Sequence, residues 1–593
     1  MILGKNIETG QNFEITPAER KLHMHVMGAS GRGKSKFLEM MIQKDIWNGE
    51  GLCLLDPHGS LYNNITKWIE THNLWNKRKI ILFNPLEERF SFAFNPLQLS
   101  ESNVASVVDA MIKACATVWG GEDPNRLPLL QKSLTGVFHT LIEKRLSLYE
   151  SLHLIDTADP SIRLYLTHDV EDPTAFEIWK DFNKKSVRDL DNDFLSVKNR
   201  LTKFLRSDII RCILGQIKDT IDFYKIMEEG HILLVNLNPA NKLSLESTRL
   251  LGALIINELY LNCLRRQEDA ARPFYLYVDE AGNYVTEDIP LILEQGRKFG
   301  LHLILSHQHL FQLQRNIGLD GLKSVMSGGQ TKIIFGGMDY EDAKIMVDNI
   351  FAATGQINMQ EWKQDLTRPT VVGYERTTFK SYSTSRGHSS GESHSTSSGS
   401  SSSSGHGESE TLKPGQPTFL PGGLIITGSS SFESSGQSST EGWGTFSSDS
   451  ESESEGYSEG LEPRMAPLPV EPYNLSEQKE KAIALLVQQP TQHAIMKLPS
   501  KKSQFVKIPD AEIPWASEER VKKSQEQKYL STQYIKARHV IEQEIADRQK
   551  ALKQEALKYL ELQKNHSLAV PDENQEEAQE TFKEPPRSKR KKI

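Results

Sequence analysis

The stretch HMHVMGASGRGKSKFLEMMIQKDIW, residues 23–47, decides the fold. HMHVMG (23–28) reads as a short buried strand, and GRGKSKFLEMMIQKDIW reads as the helix that follows it. Between them GASGRGKS (28–35) fits G-x-x-x-x-G-K-[ST]. Glycine permits the turn that points successive backbone N–H groups inward at phosphates, and the helix adds the positive end of its dipole. Lys34 is expected to reach the β- and γ-phosphates of ATP, with the Ser35 hydroxyl on Mg²⁺. Gly28, Ala29, Ser30, Gly31, Arg32, Gly33, Lys34 and Ser35 are therefore the expected nucleotide-binding residues. The pattern alone also fits an empty Gly-rich turn; the strand before it and the helix after it argue against that.

Working outward, GLCLLD (51–56), KIILF (79–83), HILLVNL (231–237), FYLYVDE (274–280), LHLILSHQ (301–308) and KIIFGG (332–337) are further apolar strands. Helical patterns separate them, one with the stripe Leu251, Leu254, Ile255 and Leu259. Strands apolar on both faces, alternating with helices, predict an α/β fold with a mainly parallel sheet covered on two sides. FYLYVDEA ends its strand in Asp279 and Glu280. Asp279 is the expected Mg²⁺ ligand, and Glu280 is expected to orient or deprotonate the attacking water. An acidic pair is common on surfaces; at the end of a buried strand in a chain carrying 28–35 it gains weight. Gln308, at the end of LHLILSHQ, is placed to sense a γ-phosphate or to cap the next helix. Arg297 just upstream is either an arginine finger for a neighbour's site or an ordinary charge closing a helix.

At 593 residues the chain has room for more than one domain. Its net charge of −8 gives no global basic field, which leaves a local basic groove open. The four cysteines, Cys53, Cys115, Cys212 and Cys263, are widely spaced with no CxxC pair. Neither a disulfide framework nor a zinc site is expected. MILGKNIETG lacks the charged and apolar regions of a signal peptide, and no run reaches membrane-spanning length. A soluble, cytoplasmic protein is expected.

Residues 1–98 and 229–380 form the expected discontinuous core, and 99–228, where strand signals vanish, an inserted all-α domain. The Ser/Gly/Glu-rich stretch 381–462 reads as a flexible excursion, with a long extended ladder as its rival. In 463–515 a helix and a β-hairpin follow. From 516 to 593 the sequence is charged and helical, with Leu530, Tyr534, Ile541, Ile545, Leu552, Ala556 and Tyr559 on one predicted face. That stripe fits a partner, the body of the protein, or nothing specific. With no motif in it, this segment is expected to be dispensable for folding. RSKRKKI closes the chain as a small basic tail.

Taken together these residues resemble the HerA/FtsK superfamily of ring ATPases, and within it the TraG/TraD-type coupling proteins of conjugation and type IV secretion. The resemblance runs over about 1–350. It rests on His23 ahead of the loop, LLDPHGS (54–60), FNPL (94–97), ILGQ (213–216), IDFYKIMEEGHILLVNL, VDEAGNY and RKFGLHLILSHQ. It implies a RecA-like P-loop core, Lys34 and Ser35 as Walker A, Asp279 and Glu280 as Walker B, and Gln308 as γ-phosphate sensor. It also implies Arg297 as a finger acting in trans, a homo-hexameric ring, and DNA as the translocated polymer. Secretion-system, relaxase or nuclease partners follow from the same resemblance. Two departures stand out: no membrane-anchoring spans, and little sequence before 28–35 where HerA proteins carry a β-barrel. Rival functions are a secretion ATPase acting on proteins, a nucleotide-switched assembly protein, and a partner in DNA-end processing or phage defence. Lys198, Arg200, Lys203, Arg206 and Arg211 are candidate backbone contacts, or a solvated helix face.

Overall fold

The structure is a computed structural model that describes residues 1–98, 103–119, 128–286, 288–351, 369–391, 446–467, 475–499 and 501–569. Fifteen strands are described: β1 Ile2–Asn6, β2 Asn12–Glu14, β3 Met24–Met27, β4 Gly51–Asp56, β5 Ile80–Phe83, β6 Phe90–Phe92, β7 Ile232–Asn236, β8 Phe274–Val278, β9 Leu301–His307, β10 Thr331–Phe335, β11 Pro369–Gly391, β12 Phe446–Pro467, β13 His493–Lys497, β14 Gln504–Lys507 and β15 Ile535–Ala537. Eleven of them make one sheet, ordered β2-β1-β14-β13-β10-β3-β9-β8-β4-β7-β5.

From β10 to β5 every pairing is parallel. This is the α/β sheet read from the apolar runs. Its strands are buried on both faces: Val26, Leu54, Leu234, Tyr277 and Ile304 pack on one side, and Met27, Leu55, Val235, Val278 and Leu305 on the other. On the far side of β10 the sheet turns antiparallel. The hairpin β13–β14, which the sequence set apart in 463–515, is thus built into the sheet between the first strand of the chain and β10. Ile495 pairs with Ile334 and joins the same apolar cluster.

Between β6 and β7 the described residues carry only helices, among them Val104–Val118, Pro128–Glu143, Pro173–Asn183 and Val187–Leu205. Trp179, Phe182 and Phe194 pack edge to face in their core.

The C-terminal segment departs from the single striped helix expected. Helix Glu518–Ser531 ends before β15, which pairs antiparallel with β6, and a long helix Arg538–Ala569 follows. The break falls at Thr532–Ile535, where β-branched and aromatic residues favour a strand pairing with FSF. Tyr534, Ile541, Ile545, Leu552 and Ala556 are buried, whereas Leu530 is 69% exposed. The long helix lies on the all-α region. Arg548 Nε pairs at 2.9 Å with Glu150, whose side chain is fully buried, and Glu555 accepts from Tyr165 at 2.8 Å. From Tyr534 to Ala556 the stripe is therefore covered by the body of the protein, one of the three placements its sequence leaves open.

Residues 358–477 form a separate compact unit. Within it β11 and β12 pair antiparallel from Pro369↔Pro467 to Gly391↔Phe446. The ladder, and not the flexible excursion, describes 381–391 and 446–462. Residues 392–445 and the basic tail lie outside the described residues.

Candidate nucleotide site

Loop 28–35 connects β3 to helix Lys34–Trp47. Gly28 and Gly33 take φ of 153° and 115°, where side chains are disfavoured. A Cβ on Gly28 would also stand 2.5 Å from that of Phe335. Lys34 Nζ donates to the loop's own carbonyls at Gly28 (2.7 Å) and Ala29 (3.1 Å). Burial lowers the Lys34 ammonium, while the charges of Glu280 and Asp279 oppose that shift.

Asp279 and Glu280 follow β8, two strands from β3, with β9 between them. Ser35 Oγ lies 3.4 Å from Asp279 Oδ2. A divalent cation taking both oxygens at about 2.0–2.1 Å fits that gap after a small closure. The other Asp279 oxygen accepts from Ser306 at 3.1 Å. Burial, reinforced by Glu280 and Asp56, pushes the Asp279 carboxyl up to about 6. Two clustered carboxylates in a poorly solvated place repel each other and favour a proton or a cation. Glu280 sits in the left-handed region at φ 48°, and its Oε1 accepts from Gln308 Nε2 at 2.6 Å. Loop 28–35, Asp279, Glu280 and Gln308 therefore converge at the carboxyl edge of the parallel strands, where ligands of open α/β sheets bind.

Arg297 does not join them. It is exposed on the short helix Gly296–Phe299, which leads into the amino end of β9. The seven residues of β9 at about 3.3 Å each put Arg297 roughly 20 Å from Gln308. Its charge is felt by His23 at the amino end of β3, whose imidazole burial and then Arg297 lower to about 4.

The basic residues of the helical region are scattered in their pairings. Lys203 pairs with Glu246, Arg211 with Asp208 at 2.8 Å, and Arg200 donates to Ser196. Lys198, Lys203 and Arg206 line a shallow groove of about 520 Å³ that also contains Asp191.

Sequence reasoning missed two neighbours of the site. Ser306 orients Asp279; its signal was the polar pair after an apolar LHLIL. The turn before β13 leans on the loop: Gln492 N donates to Arg32 O at 3.0 Å, and Arg32 Nη1 reaches Gln489 O at 3.4 Å. No local signal marks that contact, made across more than 450 residues.

The fold and this convergence define an α/β P-loop architecture. Within that class, the family model described as the type IV secretion-system coupling protein DNA-binding domain matches residues 220–370. It falls on the TraG/TraD-type coupling proteins that the motifs resemble, and its span includes Asp279, Glu280, Arg297 and Gln308. Among solved structures, the unbound bacterial conjugative coupling protein TrwB is 18% identical, covering 56% of this chain and 73% of that one, with a TM-score of 0.43. The plasmid coupling protein TrwB in complex with a non-hydrolysable ATP analogue is 18% identical over 56% and 75%, with a TM-score of 0.44. VirB4 of Thermoanaerobacter pseudethanolicus is 14% identical over 59% and 87%, with a TM-score of 0.38. No curated protein sequence matches the chain. Among the described residues no helix is long and apolar enough to cross a membrane.

Proposed function

We propose that the chain is an ATP-hydrolysing, DNA-translocating coupling ATPase of conjugative or type IV secretion-like transfer, working as a homo-hexameric ring. The observation that carries the chemistry is the convergence of loop 28–35, Asp279–Glu280 and Gln308 at one sheet edge. The family model at 220–370 supports the DNA half.

The residues present fit Mg²⁺–ATP. Gly28 to Gly33 would wrap the phosphates with backbone N–H groups, and Lys34 would leave its carbonyl partners to meet the β- and γ-phosphates. Ser35 and Asp279 would hold the metal, which supplies charge neutralisation at the transferring phosphoryl group. Glu280 would orient a water in line with the γ-phosphorus and take its proton. Gln308 holds Glu280 and would exchange that carboxylate for a γ-phosphate oxygen, so that water activation begins only with ATP in place. Arg297 cannot serve its own loop across the length of β9; it would complete a neighbour's site in a ring, against the charge that spreads over the departing phosphoryl group.

The test is ATPase rate and DNA binding of the full chain with no DNA, single-stranded DNA and duplex DNA, alongside its mass in solution. DNA-stimulated turnover in a hexamer is expected. Slow turnover indifferent to DNA, with no DNA binding in any nucleotide state, would sink the translocase and leave an assembly protein or a protein-secretion ATPase.

A further inference from the structure

Next to Gln308, three side chains able to ligate a metal come together from two places on the carboxyl edge of the sheet. His309 follows Gln308 at the end of β9 and opens the helix Leu310–Gly328. Asp339 lies just past β10 and opens the helix Tyr340–Ile350, with Asp342 in its first turn. One nitrogen of His309 and one oxygen of each carboxylate all lie within 4.8 Å of one another. His309 Nδ1 stands 3.4 Å from Asp339 Oδ2 and 3.6 Å from Asp342 Oδ2.

Acidic residues at a helix start ordinarily answer its free N–H groups and its dipole. That accounts for part of the arrangement: Asp339 Oδ1 accepts from Asp342 N at 2.9 Å, and Asp342 Oδ2 accepts from Leu310 N at 3.2 Å. It does not account for Asp339 Oδ2, which is left over from the cap, or for the imidazole of His309, which caps no helix. Nor are these hydrogen-bonded ion pairs, since both separations exceed the roughly 2.7–3.2 Å of an N–H···O bond. They match the edges of a coordination tetrahedron instead. Ligands at about 2.0–2.2 Å from a tetrahedral zinc ion stand roughly 3.3–3.6 Å apart. An octahedron around Mg²⁺, with ligands at about 2.0–2.1 Å, would draw neighbouring ligands to roughly 2.8–3.0 Å. Among the described residues, no lysine or arginine pairs with either carboxylate, and Asp342 is only 6% exposed.

We propose that His309, Asp339 and Asp342 bind a zinc ion, with water in the fourth position, at a site separate from the Mg²⁺ position of Ser35 and Asp279. The donor set selects the ion: an imidazole favours zinc over Mg²⁺ or Ca²⁺, and the edge lengths favour four ligands over six. Backbone N–H groups hold both carboxylates, as the outer shell of a metal site does. The half-exposed side chains of His309 and Asp339 leave the ion a way in and the water a place. The ion joins the end of β9 to the segment after β10, two strands that flank β3. Gln308 is the residue before His309, so the same link steadies the backbone that carries the proposed γ-phosphate sensor. Zinc binding does not depend on the proposed function; only this consequence for Gln308 does.

The test uses the untagged full chain, reduced and stripped of metal, titrated with Zn²⁺ in competition with a chromophoric chelator. The compared proteins are His309→Gln, Asp339→Asn and, as a control, Asp279→Asn. Losing an outer-shell partner costs about 10–100-fold in metal affinity, so losing a ligand should weaken zinc binding by about 100-fold or more. Asparagine at 339 still caps its helix, so the metal-free melting temperature should stay put while the rise on adding zinc disappears. Asp279→Asn should bind zinc as the wild type does. Cobalt(II) in place of zinc should give the intense visible bands of a four-coordinate ion in the wild type and lose them in both ligand variants. If one ligand variant melts low without metal, the cobalt spectrum of the other decides. Equal zinc affinity in the wild type and the ligand variants overturns the site, as does a wild type that binds no zinc in the micromolar range. Zinc binding abolished by Asp279→Asn places the ion at the nucleotide site and overturns it too, and a six-coordinate cobalt spectrum overturns the zinc assignment. None of these readouts involves ATP turnover or DNA, so the translocase reading stands or falls separately.

Discussion

The carboxyl edge of the parallel strands and the C-terminal segments packed around the core differ in how their structure is encoded. At the strand edge, each residue's place follows from its immediate neighbours: a glycine run between strand and helix, an acidic pair ending FYLYV, a glutamine ending LHLILSH. In the C-terminal segments, placement is settled by partners hundreds of residues away, such as Ile334 for Ile495, Phe92 for Ile535 and Glu150 for Arg548. Local pattern finds chemistry held on short loops; it does not find docking.

The sharpest way to break the comparison is at Arg297, the one proposed catalytic group outside the convergence. Arg297→Ala should bind ATP nearly normally and hydrolyse it about 10³–10⁵ more slowly, as measured by steady-state turnover and nucleotide titration. Mixed with Lys34→Ala, it should regain turnover in mixed rings, because an intact loop then meets an intact Arg297 from the next subunit. Full activity of Arg297→Ala alone would reduce it to a surface charge. Glu280→Gln, by contrast, should keep Mg²⁺–ATP bound with hydrolysis down by about 10²–10⁴. Comparable rates from this variant and the wild type would dissolve the Asp279–Glu280 assignment.

Truncation at 516 tests the other region. It strips Arg548 from the buried Glu150 and uncovers Cys212, which lies against Ile541 and Ile545. Breaking a buried pair from one side costs about 3–5 kcal/mol, so the truncated protein should melt well below the full chain in a thermal scan. Unchanged melting would return the segment to the dispensable status its sequence suggests.

A smaller effect sets function against stability within the site itself. Asp279 is held up to about 6 in the fold, above the roughly 3.9 of a free aspartate. The folded state then binds this proton more tightly than the unfolded chain, so stability of the metal-free protein falls as pH rises from about 4 through about 6. Mg²⁺–nucleotide binding, which needs the carboxylate, should be gained as pH rises through the same window. Asp279→Asn should raise metal-free stability at pH 7 by up to roughly 3 kcal/mol, at 1.36 kcal/mol per unit, while abolishing Mg²⁺-dependent turnover. Calorimetry showing no gain would mean that the carboxylate is better solvated than its burial implies. Least of all should change at Leu530: exposed despite its place in the sequence stripe, its alanine variant should stay within about 0.5 kcal/mol of wild type.

Much of the fold was legible because strands buried on both faces write continuous apolar runs. All six outlying runs named from the sequence became members of the parallel set, and the helical region declared itself by the loss of such runs. The hairpin at 493–507 was legible as a hairpin but not as part of the sheet, since an antiparallel extension leaves no mark on β10 itself. The stripe from Leu530 to Tyr559 misled at its start, because a period near 100° per residue does not register that a strand interrupts it. Of the site, the loop and the two strand ends carry their own signals. Ser306 shows only as a polar residue breaking the apolar run LHLIL, and the turn at 489–492 is visible only once β13 has neighbours.

That turn has a genetic consequence. A nonsense or frameshift allele between residues 475 and 489 removes β13 together with the peptide that props Arg32, yet spares every motif of the 28–35 loop and of its strand-end partners. Such alleles would strip the support of the loop as well as the C-terminal helices, while sequencing as harmless C-terminal losses. Screens that map essential positions by motif alone would file them in the wrong class.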